Sequence, residues 1–233
     1  YTISLTNMFP SSVEIFMQQK HISENYTIPN VITKLIDKNQ DNVFVFDRGV
    51  ASRDTFCQLD EKDFSFVTRL NVDSRYVYLE DVSLPENCVL RNLTVLKDQR
   101  VYLYRSGNHV VEYPFRLIIT QNEKNKTFWF LTNRFDLSCK EIIDIYKHRW
   151  DIEVFFRFLK QELNFRHFIS VNENGIRILL YMTLILAMLI LIYKNINGFG
   201  YKTAKRRFAL EFRDIITDMI VIYCGGDPNT AFT

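Results

Sequence analysis

The chain has 233 residues, enough for one domain with an insertion, and its 47% hydrophobic residues can bury a real core. With 7 Gly and 5 Pro it is neither disordered nor a loop-rich scaffold, and 29 Lys+Arg against 27 Asp+Glu leaves a net charge of +2 that neither requires nor excludes nucleic acid. Cys57, Cys88, Cys139 and Cys224 are scattered without a C-x-x-C pair, which argues against a disulfide framework or a zinc site and fits a reducing cytoplasm.

Tyr1–Thr6 alternates as a strand does. Pro10-Ser11-Ser12 then reads as a break and an N-cap, predicting a helix through about Gln19, and Pro29 opens a second helix to about Lys38. Val43-Phe44-Val45-Phe46 is wholly apolar, as in a central strand covered on both faces, and Asp47-Arg48-Gly49 follows it directly. A carboxylate ending such a strand stands at the carboxyl edge of a sheet, where open α/β sheets place their sites. Ser52 is a candidate cap for a short helix to about Leu59, and Phe64–Leu70 reads as the next strand, with Arg69 near its end as a candidate DNA contact.

From Tyr76 to Thr132 the texture is β-rich: Tyr76–Leu79, Val89–Leu96, Val101–Tyr104, Val110–Thr120 and Thr127–Leu131, separated by turn residues such as Ser106-Gly107-Asn108 and Asn122–Asn125. Ser138 should cap a long helix reaching about Phe165. A turn at Asn172–Gly175 leads to the apolar stretch Ile178–Tyr193, read as a buried core helix because it is short for a membrane span and Thr183 interrupts it. Gly198-Phe199-Gly200 ends it, and a last helix runs from about Thr203 to Tyr223.

The most informative residues lie on the helix after Ser138. At about 100° per residue, Tyr146, Arg149, Glu153 and Lys160 fall within an arc of about 60°. Trp150, Ile152, Val154, Phe155, Phe156, Phe158 and Leu159 occupy much of the rest, so the spacing gives a mostly buried helix with one polar seam. A surface stripe with an Arg–Glu pair four apart explains the spacing equally well. A carboxylate flanked by cations also suits a metal bound beside phosphates.

The spacing Y-(2)-R-(3)-E-(6)-K matches the signature of the IS4-type DDE transposases without a gap. The surrounding LTNRFDLSCKEIIDIYKHRWDIEVFFRFLKQEL, the stretch FVFDRGVASRDTFCQLDEKDFSFVTRLN and the later GYKTAKRRFALEFRDII also resemble that family. The resemblance implies an α/β fold: a ribonuclease-H-like core with a β-rich insertion between the second and third catalytic carboxylates. Residues 1–70 would form a partial core without its first strands, with Tyr1–Thr6 as the third. Residues 71–134 would form the insertion, and 135–233 the catalytic helix and C-terminal helices. Asp47 matches the second carboxylate and Glu153 the third, so the two should converge on one metal site. Two Mg²⁺ ions are implied, with Mn²⁺ as a substitute. Tyr146, Arg149 and Lys160 match residues that grip DNA phosphates.

The implied activity is metal-dependent cleavage and strand transfer of transposon ends in cut-and-paste transposition. The implied partners are double-stranded DNA and a second copy on that DNA, with no membrane. The family's first aspartate has no good match, since Asp37 and Asp41 lie between a helix and the Asp47 strand. The chain alone is therefore expected to be inactive, and a DNA-binding remnant without catalysis is the alternative. Among other residues, His21, His109, His148 and His167 read as surface or packing residues and Trp129 as a core aromatic. Lys202, Lys205, Arg206, Arg207 and Arg213 fit either a solvated helix face or a DNA-backbone contact.

Overall fold

The structure, a computed structural model, describes residues 2–6, 9–14, 42–50, 52–82, 89–90, 92–105, 107–165 and 172–230. Contacts divide the chain into two units, Tyr1–Thr2 with Ser12–Asp151, and Ile3–Ser11 with Ile152–Thr233.

Strands β1 (Thr2–Thr6) and β2 (Phe9–Glu14) pair in a two-stranded sheet of their own. Thr2–Thr6 is a strand, as expected. Residues 12–14 correct an expectation: they belong to β2 rather than opening a helix. Proline is tolerated on a strand with one neighbour, and β2 has only β1 among the described residues, so Pro10 does not enforce the break. The helix expected from Pro29 to Lys38 lies outside the described residues, as do His21, Asp37, Asp41, Cys88 and His167.

The first unit is built on a seven-stranded mixed sheet. β3 (Val43–Val45) lies parallel to β4 (Ser65–Leu70), with Val45 opposite Val67. Beyond β4 the order is β9 (Thr127–Thr132), β8 (Phe115–Asn122), β7 (Leu93–Leu103) and β5 (Tyr76–Asp81), all antiparallel, with the short β6 (Val89–Leu90) paired to β7. The β-rich residues between 71 and 134 thus extend the sheet that begins with β3, because β9 pairs directly with β4.

Strand alternation sends side chains to two faces. On one, Phe44, Phe46, Phe66, Leu117 and Leu131 pack with Phe56, Cys57 and Leu59 of helix α1 (Arg53–Glu61). Stacked rings of Phe46, Phe56 and Phe66 form its centre. Trp129 packs edge-on against Tyr76 at the margin of this core, as expected of a core aromatic. On the other face Val43, Val45, Val67, Ile118 and Phe130 meet Cys139, Ile142, Ile143 and Tyr146 of helix α2 (Cys139–Lys147). The unit is therefore three layers, helix, sheet and helix.

Ser138 caps α2 through a full capping box: its side chain accepts from the Glu141 amide while Glu141 reaches back to the Ser138 amide at 2.8 Å. The long helix expected after Ser138 is two helices. α2 stops at Lys147, His148 is a turn residue, and α3 (Arg149–Glu162) begins anew.

In the second unit, Phe158 of α3 meets Tyr201 with ring centroids 5.0 Å apart, and Lys205 pairs with Glu162 at 3.4 Å. α4 (Glu173–Asn197) is capped by the Asn172 side chain and ends at Gly198, whose φ of 66° suits glycine. α5 (Tyr201–Tyr223) packs against it, with Tyr193 donating to Glu211. The buried core helix expected at Ile178–Tyr193 is buried along one stripe only: Leu180, Leu184, Ala187, Ile190 and Leu191. Ile178, Met182, Ile185 and Ile196 are exposed among the described residues, and by length and composition α4 is apolar enough to cross a membrane.

Candidate active site at the carboxyl edge of the sheet

β3 and β4 run parallel, so their carboxyl ends share one edge. The ladder continues past β3 through Phe46 N–H to the Val67 carbonyl at 3.4 Å, and the Thr68 hydroxyl donates to the Phe46 carbonyl at 3.1 Å. Carrying the Val45–Val67 register on by two residues sets Asp47 beside Arg69. By alternation both follow the residues on the α2 face. Asp47 is exposed, and a tight turn closed by Val50 N–H to the Asp47 carbonyl ends the strand there. Its Oδ1 accepts the Arg48 amide at 2.8 Å, which fixes the carboxylate at the edge.

Arg69 is half-buried. Its guanidinium lies 4.7 Å from the Phe128 ring centroid on the neighbouring strand β9, and its Nε is buried without a hydrogen-bond partner among the described residues. Stacking on Phe128 holds the planar group at the edge.

Tyr146 enters from the last turn of α2. Its ring is buried edge-on against Phe130. Burial pushes its phenol up, Arg149 and Arg69 pull it back, Asp47 pushes it up again, and Arg149 donates to its oxygen. Geometry links the same groups: Arg69 lies opposite Phe130 in the β4–β9 register, the Phe130 ring meets Tyr146 at 5.3 Å, and the Arg149 guanidinium is 5.9 Å from the Tyr146 ring centroid, with Asp47 next to Arg69 along the edge. Arg149 also lies over the rings of Tyr146 and Trp150.

The other seam residues are on α3. There Arg149, Glu153 and Lys160 keep within about 40° of one another. Glu153 is half-buried and Lys160 is exposed, 5.9 Å from the Phe156 ring centroid. Tyr146 belongs to a different helix, so the four-residue seam is not a single helix stripe. Trp150 is 54% exposed rather than part of a buried flank; Phe155, Phe158 and Leu159 form that flank. His148 is exposed and contacts Asp151 at 2.9 Å, the surface role expected of it.

Asp47 and Glu153 offer the hard oxygen atoms that Mg²⁺ takes. Among the described residues no three His, Cys, Asp or Glu side chains gather closely enough to hold a metal ion. Spacing missed two features of the first unit. One is a buried Asp98–Arg116 pair, with contacts of 2.6 and 2.9 Å, that reaches Cys139 at the start of α2. The other is an arginine-lined cleft containing Arg48, next in sequence to Asp47.

Residues 3–189 match the family model of the transposase DDE domain. A protein of Sinorhizobium fredii bearing the name transposase y4zB is 29% identical over 156 residues, 66% of this chain and 43% of that protein. A protein of Synechocystis named as a transposase for insertion sequence element IS4SA is 29% identical over 198 residues, 81% of this chain and 50% of its own length. A shorter match, 36% over 61 residues, links 26% of the chain to 16% of a Geobacillus stearothermophilus protein named as a transposase for insertion sequence element IS5377. The chain thus spans about half the length of the first two relatives. With four-fifths of its residues inside the family model and the YREK spacing intact, the chain belongs to the DDE transposase family, of IS4-like type.

Proposed function

We propose that this chain is the catalytic portion of a cut-and-paste transposase that cleaves and joins transposon-end DNA, on a ribonuclease-H-like core. The observation that carries the reading is the convergence of Asp47, Arg69, Tyr146 and Arg149 at the carboxyl edge of β3 and β4. An exposed carboxylate beside stacked guanidiniums and a phenol suits a phosphodiester: the carboxylate side takes a divalent cation and the guanidinium side takes phosphate oxygens.

In this reading Asp47 and Glu153 hold Mg²⁺, which supplies Lewis-acid polarisation of the reacting oxygens. Arg149 and Arg69 hold the non-bridging oxygens of the scissile strand, Tyr146 orients Arg149 through its hydroxyl, and Lys160 takes a neighbouring phosphate. The reading requires the Asp47 and Glu153 carboxyl groups to come within about 10 Å of each other, since paired ions lie roughly 3.5–4 Å apart. Two carboxylates balance only half the charge of two divalent ions, so the chain by itself is expected to bind DNA without cutting it. The substrate is double-stranded DNA, and the two transposon ends call for two copies of the protein.

The test is transposon excision from a donor plasmid by the intact transposase, with Asp47→Asn and Glu153→Gln. Each substitution is expected to abolish excision while DNA binding persists. Normal excision by either variant overturns the assignment. Mg²⁺-dependent cleavage by the 233-residue chain alone would show that a third carboxylate within it has been missed.

A further inference from the structure

The carboxyl edge does not end at Asp47. Next to it the first unit opens a cleft of about 590 Å³ lined by Arg48, Arg53, Arg75 and Arg105, with Asn71, Ser74 and Tyr104. Its walls come from four separate places: the turn after β3, the start of α1, the loop after β4 and the loop after β7. The lining carries four arginines and one carboxylate, Asp73, and Asp54 outside the lining pairs with Arg105. The surplus of positive charge in one concave place favours an anion there.

Three of the arginines are held by neighbours. Arg53 donates to the Ser74 hydroxyl at 3.2 Å. Arg75 lies over the Tyr104 ring at 4.5 Å and reaches Asn108 at 3.4 Å. Arg105 pairs with Asp54 at 3.0 Å. Arg48 and Arg75 are exposed. Burial pulls the Arg53 guanidinium below its ordinary value. Stacking on Tyr104 and the contact with Asn108 hold the Arg75 guanidinium, whose several donors suit a phosphate.

We propose that this cleft is a second DNA-backbone site, which grips phosphates of the strand running on from the scissile position at Asp47. The inference rests on the DNA reading above and adds a direction to it. Asp47 and Arg48 are adjacent residues of one turn, so a polyanion reacting at Asp47 has its next phosphates at the mouth of the cleft. A run of phosphates meets several separate guanidiniums, whereas a lone carboxylate engages only one or two. The cleft contacts position DNA without reading its sequence, because its charged groups fit phosphate rather than base edges.

The test uses the 233-residue chain and a fluorescent duplex, with anisotropy followed against salt concentration. Arg48→Ala/Arg75→Ala removes two exposed side chains, so the fold should survive, and an unchanged thermal midpoint checks this. The expected result is a salt slope smaller by about two, since each phosphate contact contributes about 0.9. Arg48→Lys/Arg75→Lys should restore most of it, and Lys62→Ala/Lys124→Ala, outside the cleft, should leave it unchanged. A wild-type slope in the Arg48/Arg75 variant, while Arg149→Gln/Lys160→Gln flattens it, overturns the cleft and spares the active-site reading. An equal loss in the Lys62/Lys124 control also overturns the cleft, because any surface charge would then serve. No DNA binding by the wild-type chain overturns both.

Discussion

Helix α2 has an aspartate–arginine cluster at each end, and the two are built in opposite ways. At its start, Asp98 and Arg116 are buried almost completely and joined by two hydrogen bonds, of 2.6 and 2.9 Å. Arg116 also donates to the carbonyls of Arg134 and Leu137, and the Cys139 thiol donates to Asp98 at 2.9 Å. Burial, aided by Asp98, lifts that thiol to about 12, so it stays protonated. At the other end, Asp47 is exposed, and Arg69 and Arg149 rest on aromatic rings beside it. Where each acceptor is matched by a donor inside the protein, the cluster holds the fold together. Where a carboxylate faces water and the guanidiniums stack on rings, polar capacity remains for a ligand.

The comparison breaks first on stability. Asp98→Ala strands a buried guanidinium and should cost about 3–5 kcal/mol in urea unfolding. Asp47→Ala removes an exposed carboxylate and should stay within about 0.5 kcal/mol. Equal losses would mean that the edge cluster is structural as well.

The roles reverse on DNA. Arg149→Gln/Lys160→Gln should lower the salt slope of binding by about two. The half-buried Arg100, ion-paired with Glu80 at 3.0 Å on the β5–β7 edge, serves as a contrast, and Arg100→Gln should leave the slope unchanged. An unchanged slope in the double variant would return Arg149 and Lys160 to a packing role.

How much of this could be read from sequence follows from the range of the interactions. Val43–Val45 as a strand, the Ser138 cap and the Gly198 stop were legible because each rests on neighbours within a few residues, but the expected central place of that strand was not: among the described residues β3 ends the sheet order. The Tyr146–Lys160 spacing was legible through its resemblance to a family. The break at His148 was not, since no Gly or Pro marks it and its own φ and ψ are helical. The Asp98–Arg116 pair joins residues 18 apart on two strands, and the arginine cleft gathers positions 48, 53, 75 and 105, which only the sheet topology brings together. The exposed flank of α4 was missed because hydropathy reports what a helix can bury, not which of its sides finds a partner.

A smaller effect sharpens what holds α2. Ser138→Ala removes the acceptor for the Glu141 amide and half of the capping box, and should cost about 1 kcal/mol. If Arg116, which grips the Leu137 carbonyl, already fixes the helix start, the loss will fall well below that figure. Combining Ser138→Ala with Asp98→Ala would measure the coupling, since two groups holding one helix end should not act additively.

The smallest effect concerns the loop that carries those carbonyls. Arg134 pairs with Asp136 through two contacts of 2.7 Å and holds the Asp136 carboxyl down at about 2. A group whose value is depressed on folding stabilises the fold above its ordinary range, near 3.8, and loses that contribution as pH falls towards 2. The Asp136 side chain is 60% exposed, so solvent screening should hold the contribution below about 1 kcal/mol. Urea midpoints of the wild type and Asp136→Asn should therefore differ slightly at pH 6 and converge between about pH 4 and pH 2. Added salt should shrink the difference at pH 6, because the pair is open to ions. A difference that persists at pH 2 would mean that Asp136 shapes the loop through its backbone turn rather than its charge. In that case the tie between Arg116 and the Arg134 and Leu137 carbonyls would be what sets the path of residues 133–138 into α2.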